Sequence, residues 1–226
     1  MKNNQLIPGE PLREGVDLIA DKKTGALIVV GSSAKLDKIS SGGINLYNCK
    51  FTPEMLCELA KMDGAIIVDQ NVDTILKANV HLNPSDLIET SQTGTRHRTA
   101  QRVSVETELD VIAVSDESGI IKVFSNNDVN ELEESSMILG RVNESLQSID
   151  RTRRRFDDAV IELGELEIEN SITNQQVLEV VQRGELLERL SEQVRKEAEN
   201  LGEDSGLVMI QIESLESLSL IHISEP

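Results

Sequence analysis

The chain has 226 residues, a formal net charge of −18 and a sequence pI of about 4.5. A field of that sign disfavours passive adhesion to nucleic acid or to an anionic membrane, although it leaves room for a local basic pocket. The N-terminus carries no signal peptide, and no apolar run approaches the roughly 20 residues of a membrane-spanning helix, so we expect a cytoplasmic protein with no membrane partner.

The first half of the chain alternates short apolar runs with helical patterns. Five runs rich in β-branched residues have the length of strands, namely residues 26–30, 65–68, 75–80, 111–114 and 120–124. Helical patterns cover residues 12–20 and 52–62. The second has Thr52 as a candidate N-cap and Pro53 at the first helical position. Strands that alternate with helices predict an α/β domain with helices packed on a central sheet.

The second half, from near Asp128, has helical periodicity. One apolar stripe recurs at steps of three and four residues: Leu139, Val142, Leu146, Ile149, Phe156, Val160 and Leu163. Arg153 interrupts this stripe and Gly164 closes it. A second stripe, with Gly202 as its C-cap, contains Val177, Val181, Leu187, Leu190, Val194 and Leu201. Amphipathic helices need a partner surface, so we expect them to form a hairpin, to pack on the first domain or to join neighbouring subunits.

Residues 94–100 concentrate positive charge within an acidic protein. The segment reads Gly94, Thr95, Arg96, His97, Arg98, Thr99 and Ala100. If a helix begins here, its N-terminal amides point to the same place as the guanidinium groups and hydroxyls, which is how proteins hold phosphates. The alternative is a solvated basic turn that pairs with surface carboxylates.

An acidic residue stands just before the predicted strand 65–68. Asp63 at the mouth of that strand can hold a divalent cation or accept a proton, and Gly64 has no Cβ, so a ligand can approach the backbone closely. The alternative is an ordinary Asp-Gly turn that leads into a strand.

Two further stretches are candidate ligand contacts. Ser115, Asp116 and Glu117 follow a predicted strand, and strand ends are where α/β folds place ligands. Equally, these residues can be a loop that leads to a turn at Gly119. Leu82 can form the wall of an apolar pocket for a flat base, or it can be a simple loop residue.

Taken together, these motifs resemble the diadenylate cyclase family, in its soluble bacterial branch. The resemblance rests on five stretches in chain order: residues 11–15, 49–53, 63–65, 82–84 and 94–100. It implies a mixed central β-sheet wrapped by helices, which we assign to residues 1–127 as the cyclase domain. It also implies an all-α linker and oligomerisation region, which we assign to residues 128–216.

The end of the chain departs from this resemblance. Residues 217–226, which include His222, fit neither the helical pattern nor the family, and we expect them to be a non-native tail. The soluble members of the family normally end in a helix-hairpin-helix DNA-binding module, and we expect this chain to stop before it. We therefore expect little DNA binding, which the net charge also disfavours.

The resemblance implies an enzyme that condenses two ATP molecules into the second messenger cyclic di-AMP and two pyrophosphates. The reaction would take place at a site shared by two face-to-face cyclase domains, with Mg²⁺ or Mn²⁺ required. It follows that the chain would be a homo-oligomer, assembled through paired cyclase domains and the helical region.

The resemblance also implies a role for each motif residue. Asp63 would be the catalytic residue and a metal ligand. The ATP contacts would be Gly64, Ala65, Leu82, Thr95, Arg96, His97, Arg98, Thr99 and Ser115. Asp116 stands where soluble members have a basic residue, so Asp116 and Glu117 are additional candidate metal ligands.

Two other classes of function compete with the enzyme. A non-catalytic nucleotide-binding regulator would use the same pocket, but the presence of both the Asp63 motif and the basic motif argues against it. A structural, oligomerising protein with a DNA-scanning partner role would use the helical half, but the missing DNA module argues against that here.

Overall fold

Two units build the structure. The structure, a computed structural model, describes residues 3–126, 128–198, 206 and 208–214. The first unit is Met1–Glu134 and the second is Ser135–Pro226. The division falls after Glu134 rather than after residue 127, because Asp128–Leu132 form an edge strand of the first unit's sheet.

An eight-stranded mixed sheet lies at the centre of the first unit. Its strands are β1 Ala26–Val30, β2 Ser40–Ser41, β3 Ile44–Lys50, β4 Ala65–Val68, β5 Thr74–Leu82, β6 Asp110–Val114, β7 Ile121–Ser125 and β8 Asp128–Leu132. The strand order is β2-β5-β4-β1-β6-β7-β8, and β3 also pairs with β5. Strands β1 and β4 are parallel, whereas β6 is antiparallel to β1. The predicted fold class, a mixed sheet wrapped by helices and followed by a helical region, is confirmed.

The sequence pattern predicts the strands with continuous apolar runs and no others. β1, β4, β5, β6 and β7 match the five predicted runs within two residues at each end. β2, β3 and β8 lack such a run, because most of their side chains are exposed or only half-buried at the sheet edges. Edge pairing of this kind depends on partner strands that are distant in the sequence.

Helices cover both faces of the sheet. After a short 3₁₀ turn at Asn3–Leu6, the helices of this unit are α1 Pro11–Asp21, α2 Ala34–Ile39, α3 Pro53–Leu59 and α4 Thr95–Thr107. Side chains alternate along β1, so Ile28 packs with α1 and α3, whereas Val29 packs with α2 and α4. The predicted cap of α3 is confirmed, because the Thr52 hydroxyl accepts a hydrogen bond from Met55 N at 3.2 Å. The helix itself ends at Leu59, before the predicted residue 62.

The second unit contains a helical hairpin, which was one of the three predicted arrangements. α5 Ser135–Ile168 and α6 Asn174–Ala198 share an apolar core that includes Val142, Ile149 and Val194. Gly164 does not close the first stripe, because α5 continues to Ile168. A glycine costs a helix only about 1 kcal/mol, which packing elsewhere along α5 can offset.

Some predictions for the second unit are wrong, and others concern residues outside the described part of the chain. Val177 and Val181 are 41% and 59% exposed, so they lie outside the shared core. Leu201, the Gly202 cap and the tail at residues 217–226 lie outside the described residues. No helix in the described part of the chain is long and apolar enough to cross a membrane.

Candidate active site

A cleft of about 520 Å³ opens at one edge of the sheet in the first unit. Because β1 and β4 are parallel and β6 is antiparallel to β1, the residues before β1, before β4 and after β6 meet at the same edge. The N-terminus of α4 faces the same space. The cleft is lined by Gly25, Ala26, Leu27, Ala60, Met62, Asp63, Gly64, Gly94, Thr95, Arg96, His97, Thr99, Ser115, Asp116 and Glu117.

The cleft brings together most residues that the sequence singles out. Those that line it are Asp63, Gly64, Thr95, Arg96, His97, Thr99, Ser115, Asp116 and Glu117. Ala65, Leu82 and Arg98 are not among the described lining residues. Ala65 is fully buried within β4, Leu82 is half-buried against the core on the α2 and α4 side, and Arg98 is exposed.

The motifs miss part of the cleft wall. The cleft is also lined by five residues that are not predicted as ligand contacts. Ala26 and Leu27 belong to a predicted strand, Ala60 and Met62 to a predicted helix, and Gly25 to neither. A signal for Gly25 exists, because it stands immediately before strand β1 as Gly64 stands immediately before β4. The parallel pairing of these two strands brings the two glycines to the same edge of the sheet, offset by one residue in register.

Helix α4 begins inside the basic segment, as the phosphate-binding hypothesis requires. Gly94 is its N-cap, and Arg98 N donates to Gly94 O at 2.9 Å. The amides of the first turn have no partner within the helix, and the helix dipole makes this end attractive to anions. The Thr99 hydroxyl donates to Thr95 O at 3.0 Å, a carbonyl one turn earlier in the same helix.

The loop before α4 is fastened along that helix. Arg102 Nε donates to Ile88 O at 3.1 Å, and its Nη1 pairs with Asp86 Oδ1 at 2.5 Å. Ser85 N donates to Glu106 Oε2 at 2.8 Å. These contacts hold residues 85–88 of the loop against the second half of α4.

Two glycines of the cleft have backbones that other residues rarely adopt. Gly64 has a φ of +110°, and a Cβ there would lie 2.9 Å from the carbonyl carbon of Asn79. Gly25 has a φ of +68°, and a Cβ there would lie 2.7 Å from Arg96 Nη1. Gly64 therefore requires glycine for conformation and for space, because its close neighbour is backbone. Gly25 requires glycine for its conformation, and an added Cβ would displace the Arg96 side chain.

His97 is a half-buried imidazole beside the cleft. Its ring makes an edge-on contact with Phe124, with centroids 6.3 Å apart. Burial, followed by the positive charges of Lys122 and Arg96, lowers the pKa of His97 below its usual range, and Asp116 opposes this shift only in part. His97 is therefore a neutral hydrogen-bonding group at pH 7.

Ser115 follows strand β6, begins the turn that leads to Gly119 and lines the cleft, so its role as a ligand contact stays a prediction. Its backbone N donates to Ile120 O at 2.9 Å, and Gly119 N donates to Ser115 O at 3.1 Å. The Ser115 hydroxyl accepts from Ser118 N at 3.2 Å. A hydroxyl that accepts one bond can still donate its own proton to a ligand.

The carboxylates of the cleft are suited to a hard divalent cation. Asp63, Asp116 and Glu117 line the same space, although within the described ranges no three acidic, histidine or cysteine side chains are grouped closely enough to hold an ion unaided. Mg²⁺ is commonly held by one or two carboxylates plus substrate phosphates. The donors present therefore fit a site that a nucleotide would complete.

Comparison with known proteins identifies related families and sequences. The family model for the nucleotide-binding domain of the DisA bacterial checkpoint controller matches residues 13–129, and the model for its linker region matches residues 132–219. DNA integrity scanning protein DisA from Kineococcus radiotolerans is 43% identical over 210 residues, which is 93% of this chain and 58% of that protein. The protein of the same name from Beutenbergia cavernae is 40% identical over 208 residues, covering 92% of this chain and 58% of that protein. The chain thus spans less than two thirds of the length of these relatives.

A solved structure is also similar. The crystal structure of a double mutant of DacA from Staphylococcus aureus aligns with a TM-score of 0.45 and 28% identity, covering 55% of this chain and 85% of that chain.

Proposed function

This chain belongs to the family of DisA bacterial checkpoint controllers, and on that premise we propose that it is a diadenylate cyclase that joins two ATP molecules into cyclic di-AMP. One observation carries the proposal beyond family membership. A single cleft places the carboxylate of Asp63 together with the open N-terminus of α4 and the guanidinium of Arg96. That combination can activate a hydroxyl and bind a phosphate in the same space.

The basic segment supplies the phosphate-binding half of the site. The free amides of the first turn of α4, the Arg96 guanidinium and the Thr95 hydroxyl bind the triphosphate. Neutral His97 adds a hydrogen bond without a further charge. Negative charge spreads over the transferring phosphorus and the leaving group in the transition state, and preorganised donors stabilise it there.

Asp63 acts on the nucleophile. It is exposed at the cleft and makes no hydrogen bond or ion pair with any described residue, so its carboxylate is available to a ligand. The 3′-oxygen of one ATP attacks the α-phosphorus of the other, and the bond to the bridging oxygen of the β-phosphate breaks. Pyrophosphate leaves with the bonding electrons, and Asp63 accepts the proton of the 3′-hydroxyl. If a divalent metal ion is bound, Asp63 would hold it, and the ion would lower the pKa of that hydroxyl.

Mg²⁺ or Mn²⁺, held by Asp63 and the substrate phosphates, would neutralise charge on the triphosphate. Asp116 and Glu117 are the further carboxylates that could reach such an ion, because both line the cleft.

The ring closure needs two copies of the cleft. A volume of about 520 Å³ is within the usual range for one small-molecule ligand, and cyclic di-AMP requires two ATP molecules that attack each other. Two cyclase domains therefore meet with their clefts face to face in a homo-oligomer. The helical hairpin is the second element that joins subunits. The proposal places the enzyme in the cytoplasm, and the net charge of −18 disfavours DNA binding.

The test is to incubate the purified chain with ATP and either Mg²⁺ or Mn²⁺ and to identify the product by mass. The proposal predicts cyclic di-AMP and two pyrophosphates per product molecule, with activity per subunit that falls on dilution to the monomer. ATP binding without any product under either metal would support the non-catalytic regulator instead. Activity that stays constant down to a proven monomer would refute the shared site.

A further inference from the structure

An ion pair inside the cleft already occupies the guanidinium that the proposed function assigns to phosphate. Arg96 Nη1 lies 3.4 Å from Asp116 Oδ1, and the two side chains are 29% and 57% exposed. Arg96 comes from the first turn of α4 and Asp116 from the turn between β6 and β7. The chain therefore supplies its own anion at the position where a substrate anion would bind.

Gly25 provides the surface against which this pair lies. A Cβ at Gly25 would be 2.7 Å from Arg96 Nη1 and 3.0 Å from Asp116 Cβ. Three segments that are distant in the sequence thus meet at one point of close contact. Both side chains of the pair therefore lie close to the Gly25 backbone.

The turn that carries Asp116 is held by its own hydrogen bonds. Gly119 N donates to Ser115 O at 3.1 Å, and Ser118 N donates to the Ser115 hydroxyl at 3.2 Å. Ile120 N donates to the Ser118 hydroxyl at 3.3 Å. Asp116 is therefore presented to Arg96 from a preorganised turn, so little conformational freedom is lost when the pair forms.

We infer that Asp116 is the internal counter-ion of Arg96, a positioning residue that holds the guanidinium in the cleft and competes with phosphate for it. This inference rests on the proposed function, since it states how the same cleft sets its affinity for a polyphosphate. A phosphate oxygen that binds Arg96 takes the place of the Asp116 carboxylate. An ion pair this exposed alters affinity by roughly twofold to fivefold.

The decisive experiment titrates inorganic pyrophosphate into the full chain in metal-free buffer by calorimetry. Asp116→Asn keeps the shape and an oxygen that can accept from Arg96, but removes the competing charge, so pyrophosphate should bind roughly twofold to fivefold more tightly. Glu117→Gln is the matched control. It removes the same charge from the same turn and cleft, and Glu117 forms no ion pair with any residue that the structure describes.

A double-mutant cycle separates direct pairing from a general change of field. In an Arg96→Gln background, Asp116→Asn should alter pyrophosphate affinity no more than Glu117→Gln does. Unfolding temperatures of all variants should stay together, because every substituted residue is at least partly exposed.

Three results would overturn the inference: equal effects of Asp116→Asn and Glu117→Gln, weaker or absent pyrophosphate binding in Asp116→Asn, and weaker binding of Mn²⁺ alone in that variant. The last result would make Asp116 a metal ligand, as the sequence suggests. Failure of the proposed function is seen separately. It would appear as no cyclic di-AMP from ATP, with or without ATP binding, even where the pyrophosphate titrations follow the predicted pattern.

Discussion

Replacing Arg102 with alanine tests whether the loop before α4 is held in place by its own helix. The Arg102 guanidinium donates to Ile88 O at 3.1 Å and to Asp86 O at 3.3 Å, and it pairs with Asp86 Oδ1 at 2.5 Å. Each hydrogen bond contributes a net 0.5–1.5 kcal/mol, roughly. The ion pair adds little, because the carboxylate is 93% exposed. The substitution should therefore cost the loop about 1–3 kcal/mol of local stability.

Amide hydrogen exchange measures this cost at Ser85, whose N–H donates to Glu106 Oε2 at 2.8 Å. A loss of about 1–3 kcal/mol corresponds to exchange that is roughly 5-fold to 150-fold faster. Arg189→Ala is the control, since Arg189 is an exposed helix residue with an i,i+4 ion pair in the second unit. Unchanged protection of the Ser85 amide in Arg102→Ala would refute the fastening of the loop by this residue.

Three further predictions concern the cleft. In a urea titration, Gly64→Ala should lower the free energy of unfolding by about 1–3 kcal/mol through backbone strain and crowding. Gly140→Ala is the control, because an added Cβ there meets nothing within 4 Å, and it should be neutral or stabilising. The folded-state pKa of His97 lies below its unfolded value, so its neutral form contributes stability that is present above the unfolded pKa of about 6.5. This stability is lost as pH falls from there through the lower folded-state pKa. His97→Gln should flatten the fall in unfolding free energy between about pH 7 and pH 5, and an unchanged slope would contradict the assignment. Arg96→Gln should weaken ATP binding, measured by calorimetry, by about tenfold or more. The loss should exceed that of Arg98→Gln, because only Arg96 of the two lines the cleft. Equal losses of ATP affinity in the two variants would contradict that placement.

Local sequence signals predict much of the first unit. Continuous apolar runs identify β1, β4, β5, β6 and β7, and the Thr52-Pro53 pair marks the start of α3. The edge strands are not predicted, because their stability comes from pairing with distant strands and not from their own composition. The helical region is predicted in kind but not in detail, since Gly164 lies within α5 and Val177 faces outward.

The sequence predicts the candidate site as separate motifs, and the fold brings these motifs together in one cleft. Asp63 and Ser115 are 52 positions apart in the sequence. They share a cleft because β6 runs antiparallel to β1 and β4 runs parallel to it, which chain order alone cannot determine. The same limit explains Arg98: α4 directs neighbouring residues to different faces, so the motif contains a side chain that lies outside the cleft.

The most direct test of the central claim compares turnover of ATP by the wild-type chain, Asp63→Asn and Asp21→Asn, with the product identified by mass. Asp21 is an exposed aspartate at the end of α1, outside the cleft, and is the matched control. We predict cyclic di-AMP from the wild type and Asp21→Asn, and at least roughly 100-fold slower turnover by Asp63→Asn with ATP binding retained. Wild-type turnover by Asp63→Asn would remove Asp63 from the mechanism, and no cyclic di-AMP from the wild type with either Mg²⁺ or Mn²⁺ would contradict the proposed enzyme.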